Sequence, residues 1–194
     1  EQKPPFTEDM QPSPVDPYGI AKVAAEQVLK VLGKVHQIEW NIAVPHNIVG
    51  ENQKYDDPFR NVMSIMLNRN IQNKPSIIYG DGTQTRCFSY VGDCIQCLEK
   101  MGTNDNIVYQ TINIGPDEES ITINELAELC ANETGFNGTP IYYTSGRPQE
   151  VKHATCSSDK ARKLLNYKTT TTVKEAVKKT ADWIRKNPKP FKYH

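Results

Sequence analysis

From residue 18 to residue 36, apolar side chains fall at Ala21, Ala24, Ala25, Val28, Leu29, Val31, Leu32 and Val35. This is the 3.6-residue period of a helix, with an apolar face wide enough to predict cover on two sides. The seventeen residues before it, rich in proline and acid, read as a loop. Next, Ile38, Trp40, Ile42 and Val44 alternate with Glu39, Asn41 and Ala43, which predicts a strand that Pro45 ends. A loop holding Gly50 follows, then a helix over about 58–70. "SIIYGDG" predicts a short strand closed by a turn, and "CFSYV" another. Asp93 is placed to N-cap a helix running to Gly102, the glycine serving as C-cap. "VYQTINIG" reads as a buried strand. Thr122 with Glu125, and Thr172 with Glu175, have the spacing of capping boxes, each opening an amphipathic helix. Strands alternating with helices point to α/β units.

Composition narrows the picture. The 194 residues suffice for one ordinary domain and a real core. Lys+Arg and Asp+Glu balance at 23 each, so bulk charge gives no reason to expect nucleic acid or an anionic membrane as partner. There is no apolar run of membrane-spanning length, and "EQKPPFTEDM" is neither a basic nor an apolar leader, so a soluble, cytoplasmic protein is expected. Five cysteines are sparse for a disulfide scaffold and suit a reducing compartment. Cys94 and Cys97 form a CxxC without a second pair or histidines at ligand spacing. They read as small packing residues, and no metal is expected.

The candidate chemistry lies at the mouth of the first helix. Tyr18 and Lys22 are four apart, which puts them on one helical face. A cation close to a phenol favours the phenolate, and such a tyrosine can take a proton from an alcohol as hydride leaves the same carbon. By spacing alone the signal is weak, and the pair reads first as an exposed aromatic beside a snorkelling lysine.

The surrounding residues bear on that choice. "PSPVDPYGIAKVAAEQ" resembles the active-site helix of the extended short-chain dehydrogenase/reductase family, in its nucleotide-sugar epimerase/dehydratase branch. "VPHNIVGENQ", "IIYGDGTQTRCFSYVGD", "TINIGPDEESITINELAEL" and "RPQEVKHATCSSDKARKLLNY" are similar to later motifs of that branch, in the same order. The resemblance implies an α/β fold: the C-terminal part of a Rossmann-type parallel sheet plus a small mixed α/β substrate-binding lobe. It implies NAD as cofactor, with Tyr18 as acid/base and Lys22 holding the nicotinamide ribose. Pro45 and His46 would pass the nicotinamide and Asn47 would contact the sugar nucleotide. Asn61 would present groups to the nucleotide, and Tyr79 would sit beside the base or simply pack. Arg86 and Arg147 would pair with the diphosphate, which a guanidinium fork suits, and Glu150 with the ribose.

The resemblance also predicts what is not found. The family's glycine-rich turn, which holds the pyrophosphate at a helix N-terminus, has no counterpart here, and the serine or threonine partner of the tyrosine would fall before Glu1. The chain is therefore expected to be a fragment. Residues 1–56 would belong to the second half of the cofactor domain, 57–92 to a substrate segment, 93–116 to a return to the cofactor domain, and 117–194 to the substrate lobe. Val44 and Val49 stand where the family usually has arginine and an aromatic residue. The activity expected of the parent is 4-epimerisation of a UDP-sugar, UDP-glucose and UDP-galactose being the type pair, in a homodimer. A 4,6-dehydratase or decarboxylase of the same family, and a non-catalytic domain that keeps the fold, are the alternatives.

Overall fold

The computed structural model describes residues 3–57, 60–117, 120–143, 145–146 and 151–187. In chain order the elements are α1 (Pro17–His36), β1 (Asn41–Pro45), β2 (Ile48–Val49), α2 (Val62–Ile71), β3 (Ile77–Tyr79), β4 (Thr85–Arg86), β5 (Ser89–Tyr90) and α3 (Val91–Thr103). They continue with β6 (Gln110–Ile114), β7 (Ile121–Thr122), α4 (Ile123–Thr134), β8 (Ile141–Tyr143), β9 (His153–Ala154), α5 (Asp159–Leu165) and α6 (Val173–Lys186).

The longest pairing is parallel, β1 against β6, in register from Asn41↔Gln110 to Pro45↔Ile114. Parallel neighbours need a crossover, and here it is everything from β2 to α3. Among the described residues three further sheets are built from shorter strands. β2 runs parallel to β5 and β3 parallel to β8, while β4 lies between antiparallel β7 and parallel β9. The mixed α/β architecture with parallel strands matches expectation.

Among the described residues two hydrophobic cores result. In the first, α2, α4 and α6 pack against one another through Met63, Met66 and Leu67, through Leu126, Ala127 and Cys130, and through Val173, Val177, Ala181 and Ile184. In the second, Ile112 and Ile114 of β6 are covered by Cys94, Cys97 and Met101 of α3 and by Ala161 and Leu165 of α5. Cys94 and Cys97 are therefore packing residues. Burial pushes the Cys94 thiol up to about 12 and raises that of Cys97 as well, so neither is a ready thiolate.

Four local expectations need correction. Asp93 does not cap α3: Tyr90 holds the N-cap position, and the Asp93 carboxylate accepts instead from Thr170 N, Thr170 Oγ1 and Thr171 N. The carboxylate ties α3 to the loop before α6, a long-range use that a local cap rule does not anticipate. Gly102 lies inside α3, and Asn104 is the C-cap. The first strand starts at Asn41 rather than Ile38, because Ile38 N bonds back to Gly33 O as α1 ends. Finally α1 is not covered on two sides. Gly33 is its buried residue, while Val28, Val31, Leu32 and Val35 are exposed.

Candidate active site

Tyr18 stands in the first turn of α1. Pro17 occupies the start of the helix, where a missing N–H costs nothing, and the Asp16 carboxylate accepts from Gly19 N at 2.6 Å. The cap fixes where the helix begins, and so places Tyr18 one turn before Lys22. Lys22 Nζ lies 5.4 Å from the centre of the Tyr18 ring, so the pair shares one face as the spacing predicts. The ring is 72% exposed.

A second group gathers where parallel strands end, the usual place for ligands in α/β folds. β1 closes at Pro45, and His46 N then donates to Ile114 O at 3.0 Å, which keeps the end of β1 beside the end of β6. At Asn47 the backbone turns with φ 31°, a conformation asparagine tolerates better than most residues. Asn47 Nδ2 donates to Cys87 O at 2.8 Å, next to Arg86. Asn61 is the N-cap of α2; its Oδ1 accepts from Met63 N at 3.0 Å, and its Nδ2 reaches Ile48 O at 3.5 Å. Pro45, His46, Asn47, Asn61 and Arg86 are thus one connected set. The amides of Asn47 and Asn61 hold the scaffold, which leaves backbone groups and remaining lone pairs for a ligand.

Arg86 lies in β4, with Nη1 donating to Thr85 O at 2.7 Å and toward Lys152 O at 3.4 Å. Those carbonyls orient the guanidinium alongside β9. Tyr79 ends β3 and stacks on Tyr143 of β8, with centroids 5.0 Å apart and planes 15° from parallel. Gln84 Nε2 donates to Tyr79 O and couples this aromatic pair to the strand of Arg86. Arg147 and Glu150 lie outside the described residues. Tyr143 was not singled out from sequence; three exposed residues in β8 give no period that would have marked it.

Burial pushes the His46 imidazole down to about 4, with a smaller opposing pull from Asp117. Asp117 is itself held below the usual carboxylate range by Arg162 and by Ser158 N, against its partial burial. His46 is therefore a neutral group at physiological pH. Among the described residues no cluster of His, Cys, Asp and Glu could hold a metal ion, and no helix is long and apolar enough to cross a membrane.

Residues 1–180 match the GDP-mannose 4,6 dehydratase family. The chain belongs to this family of nucleotide-sugar epimerases and dehydratases, within the extended short-chain dehydrogenases/reductases. A protein of Methanocaldococcus jannaschii, provisionally named a UDP-glucose 4-epimerase, is 34% identical over 94% of this chain and 58% of its own length. The UDP-glucuronate 4-epimerase of Thermodesulfobacterium geofontis is 29% identical over 96% of this chain and 56% of its own length. Among solved structures, the UDP-glucose 4-epimerase of Thermotoga maritima with UDP-glucose superposes with a TM-score of 0.86 at 25% identity, covering 97% of this chain and 60% of that one. The UDP-glucuronic acid 4-epimerase of Bacillus cereus, in complex with UDP-glucuronic acid and NAD, also gives 0.86, at 29% identity over 96% of this chain and 58% of that one. The chain thus spans less than two thirds of the length of each of these relatives.

Proposed function

We propose that this chain supplies the active-site helix and substrate lobe of an NAD-dependent nucleotide-sugar 4-epimerase acting on a UDP-sugar. The observation that carries the reading is the pairing of Tyr18 and Lys22 on one face of α1, in a chain whose strand-end residues Pro45–Asn47 and Arg86 form one connected set. In this reading Lys22, Pro45 and His46 would hold NAD, which would supply a reversible hydride acceptor for C4 of the sugar. Tyr18 takes and returns the proton of the C4 hydroxyl, which its exposed position at the helix mouth permits. Lys22, on the same face of the helix as Tyr18, holds the nicotinamide ribose. Pro45 and His46 line the nicotinamide side, and Asn47 and Asn61 meet the sugar nucleotide. Tyr79, backed by Tyr143, offers a flat apolar wall for the base, and Arg86 with Arg147 takes the diphosphate, Glu150 the ribose. The exposed apolar face of α1 supports a homodimer through that helix, and a cytoplasmic setting fits the free cysteines.

A second reading, 4,6-dehydration, is favoured by the family that residues 1–180 match. It shares the oxidation at C4 and differs in what happens to the keto intermediate. The test is an assay of the full-length polypeptide with NAD and UDP-glucose, UDP-glucuronic acid and GDP-mannose, products being separated by NMR. A C4-inverted sugar supports epimerisation, a 4-keto-6-deoxy sugar supports dehydration, and no turnover of any of them sinks both.

A further inference from the structure

The turn that follows β1 holds an unresolved hydrogen-bonding problem. Ser89 is fully buried in β5, and its Oγ has only the weak sulfur of Cys94 as a partner; among the described residues both ring nitrogens of His46 are buried without a hydrogen-bond partner. Orphaned groups of this kind are rare in folded proteins, because each forfeits its bonds to water. Here they face the same small space. A Cβ added to Gly115 would lie 2.5 Å from Ser89 Oγ and 3.0 Å from His46 Nδ1, so both atoms border the gap that this glycine leaves open. By those distances the two atoms lie no more than 5.5 Å apart, a separation that a change of the Ser89 χ1 rotamer can shorten.

The backbone is arranged around the same spot. His46 N donates to Ile114 O just before Gly115, and Ser89 N donates to Asn47 O at 3.3 Å. The three positions are thus held together from the main chain. The neighbouring groups do not compete for the imidazole: the Asp117 carboxylate is engaged by Arg162 and Ser158 N, and the Cys94 thiol beside Ser89 is only a weak acceptor. A neutral imidazole has one donor and one acceptor, and a serine hydroxyl can serve either nitrogen.

We propose that Ser89 is a positioning residue, its hydroxyl bonding His46 Nδ1 and so fixing the tautomer and orientation of the imidazole at the end of β1. Its consequence for catalysis rests on the epimerase reading, in which Pro45–Asn47 lines the cofactor and sugar. Locking His46 holds the turn that presents those backbone groups, while Ser89 itself touches no ligand.

The test is nitrogen NMR of the histidine rings of the 194-residue chain at neutral pH, with His46→Phe identifying the His46 signals by their loss. One dominant neutral tautomer is expected in the unmodified chain. Ser89→Ala should collapse it toward the averaged shifts of exchanging tautomers, and Ser89→Thr, which keeps the hydroxyl, should preserve it. His46 signals that are identical with and without the Ser89 hydroxyl overturn the proposal. Should Ser89→Ala not fold, averaged shifts in the unmodified chain overturn it just as well. In the full-length polypeptide, Ser89→Ala is expected to lower kcat about tenfold and leave KM within about twofold, the signature of misplacement rather than lost binding. An unmodified full-length protein with no epimerase activity would remove the functional reading, and the nitrogen spectra would still decide the His46–Ser89 bond.

Discussion

Two helices of this protein have similar sequence signals and opposite fates. α6 runs for 14 residues and buries Val173, Ala176, Val177, Thr180, Ala181 and Ile184 against α2 and α4. α1 is longer, at 20 residues, with as many apolar positions, yet only Gly33 is buried. Both begin at a side-chain cap: Thr172 with Glu175 in a reciprocal box for α6, Asp16 alone for α1. Local code makes both helical, while tertiary packing stabilises one of them. What α1 contributes instead is position, since the close fit of Gly33 against Trp40 anchors the C-terminal end and leaves Tyr18 and Lys22 at the open end. A Cβ on Gly33 would come within 2.5 Å of the Trp40 ring, so this contact requires glycine. Changes in α1 should therefore act on chemistry and association, and changes in α6 on folding.

The largest expected effect tests the first half of that division. In the full-length polypeptide, Tyr18→Phe is expected to cost about 10²- to 10⁴-fold in turnover, the usual contribution of a positioned acid/base. Its melting temperature should stay within a degree or two, because the ring packs against no core. Near-normal turnover would remove Tyr18 from the mechanism. Ile184→Ala tests the second half. Ile184 is 1% exposed in the three-helix core, so deleting its side chain should cost about 2–5 kcal/mol in chemical denaturation of the chain. A loss below about 1 kcal/mol would mean that α6 does not hold the three-helix core together.

This contrast also marks what could be read from sequence. The existence of α1, α4 and α6 was legible because a 3.6-residue period and a capping box are local facts. Thr122 with Glu125 and Thr172 with Glu175 form both reciprocal bonds that their spacing predicts. Parallel pairing and the mixed lobe were legible through the family resemblance. The fate of an apolar face was not, because period says which side is apolar and nothing about what covers it. Asp93 was misread for the same reason: an acid at a helix start looks like a cap, and its real partners, Thr170 and Thr171, are over seventy residues away. Asn47, Arg86 and Asn61 were marked by motif, and in the structure their side chains bond to the carbonyls of Cys87, of Thr85 and Lys152, and of Ile48 respectively. Ser89 carried no signal at all, since a serine in a strand looks like any other until its neighbours are known.

A smaller effect sharpens the comparison at the helix starts. Thr172→Ala should cost about 1 kcal/mol, because fraying the first turn of α6 loosens the core beneath it. The capping box also makes a pH prediction. Hydrogen bonds from Thr172 N and Oγ1 hold the Glu175 carboxyl below its ordinary value of 4.5. The folded state thus favours the ionised form; that stability is present above 4.5 and is lost as pH falls through the lower folded value. Denaturation of the chain between pH 6 and pH 3 should show this loss, and Glu175→Gln should flatten it. An unchanged slope in Glu175→Gln would assign the acid sensitivity elsewhere, with His46, which resists protonation when buried, the next group to replace.

The smallest expected effect falls on the exposed face of α1. Val31 is 60% exposed and Val35 66%, so truncation removes little that folding has taken out of water. Val31→Ala should change the folding stability of the monomer by less than about 0.5 kcal/mol, roughly a tenth of the Ile184→Ala cost. Association is a different quantity. If Val28, Val31, Leu32 and Val35 meet a second copy, then Val31→Lys places a charge in an apolar contact and should shift the full-length protein from dimer toward monomer in sedimentation, with the melting temperature of the monomer unchanged. Comparable losses from Val31→Ala and Ile184→Ala would break the division between the two helices, for α1 would then be carrying the fold from its solvent side. A Val31→Lys protein that stays dimeric would keep the division and move the interface off this face.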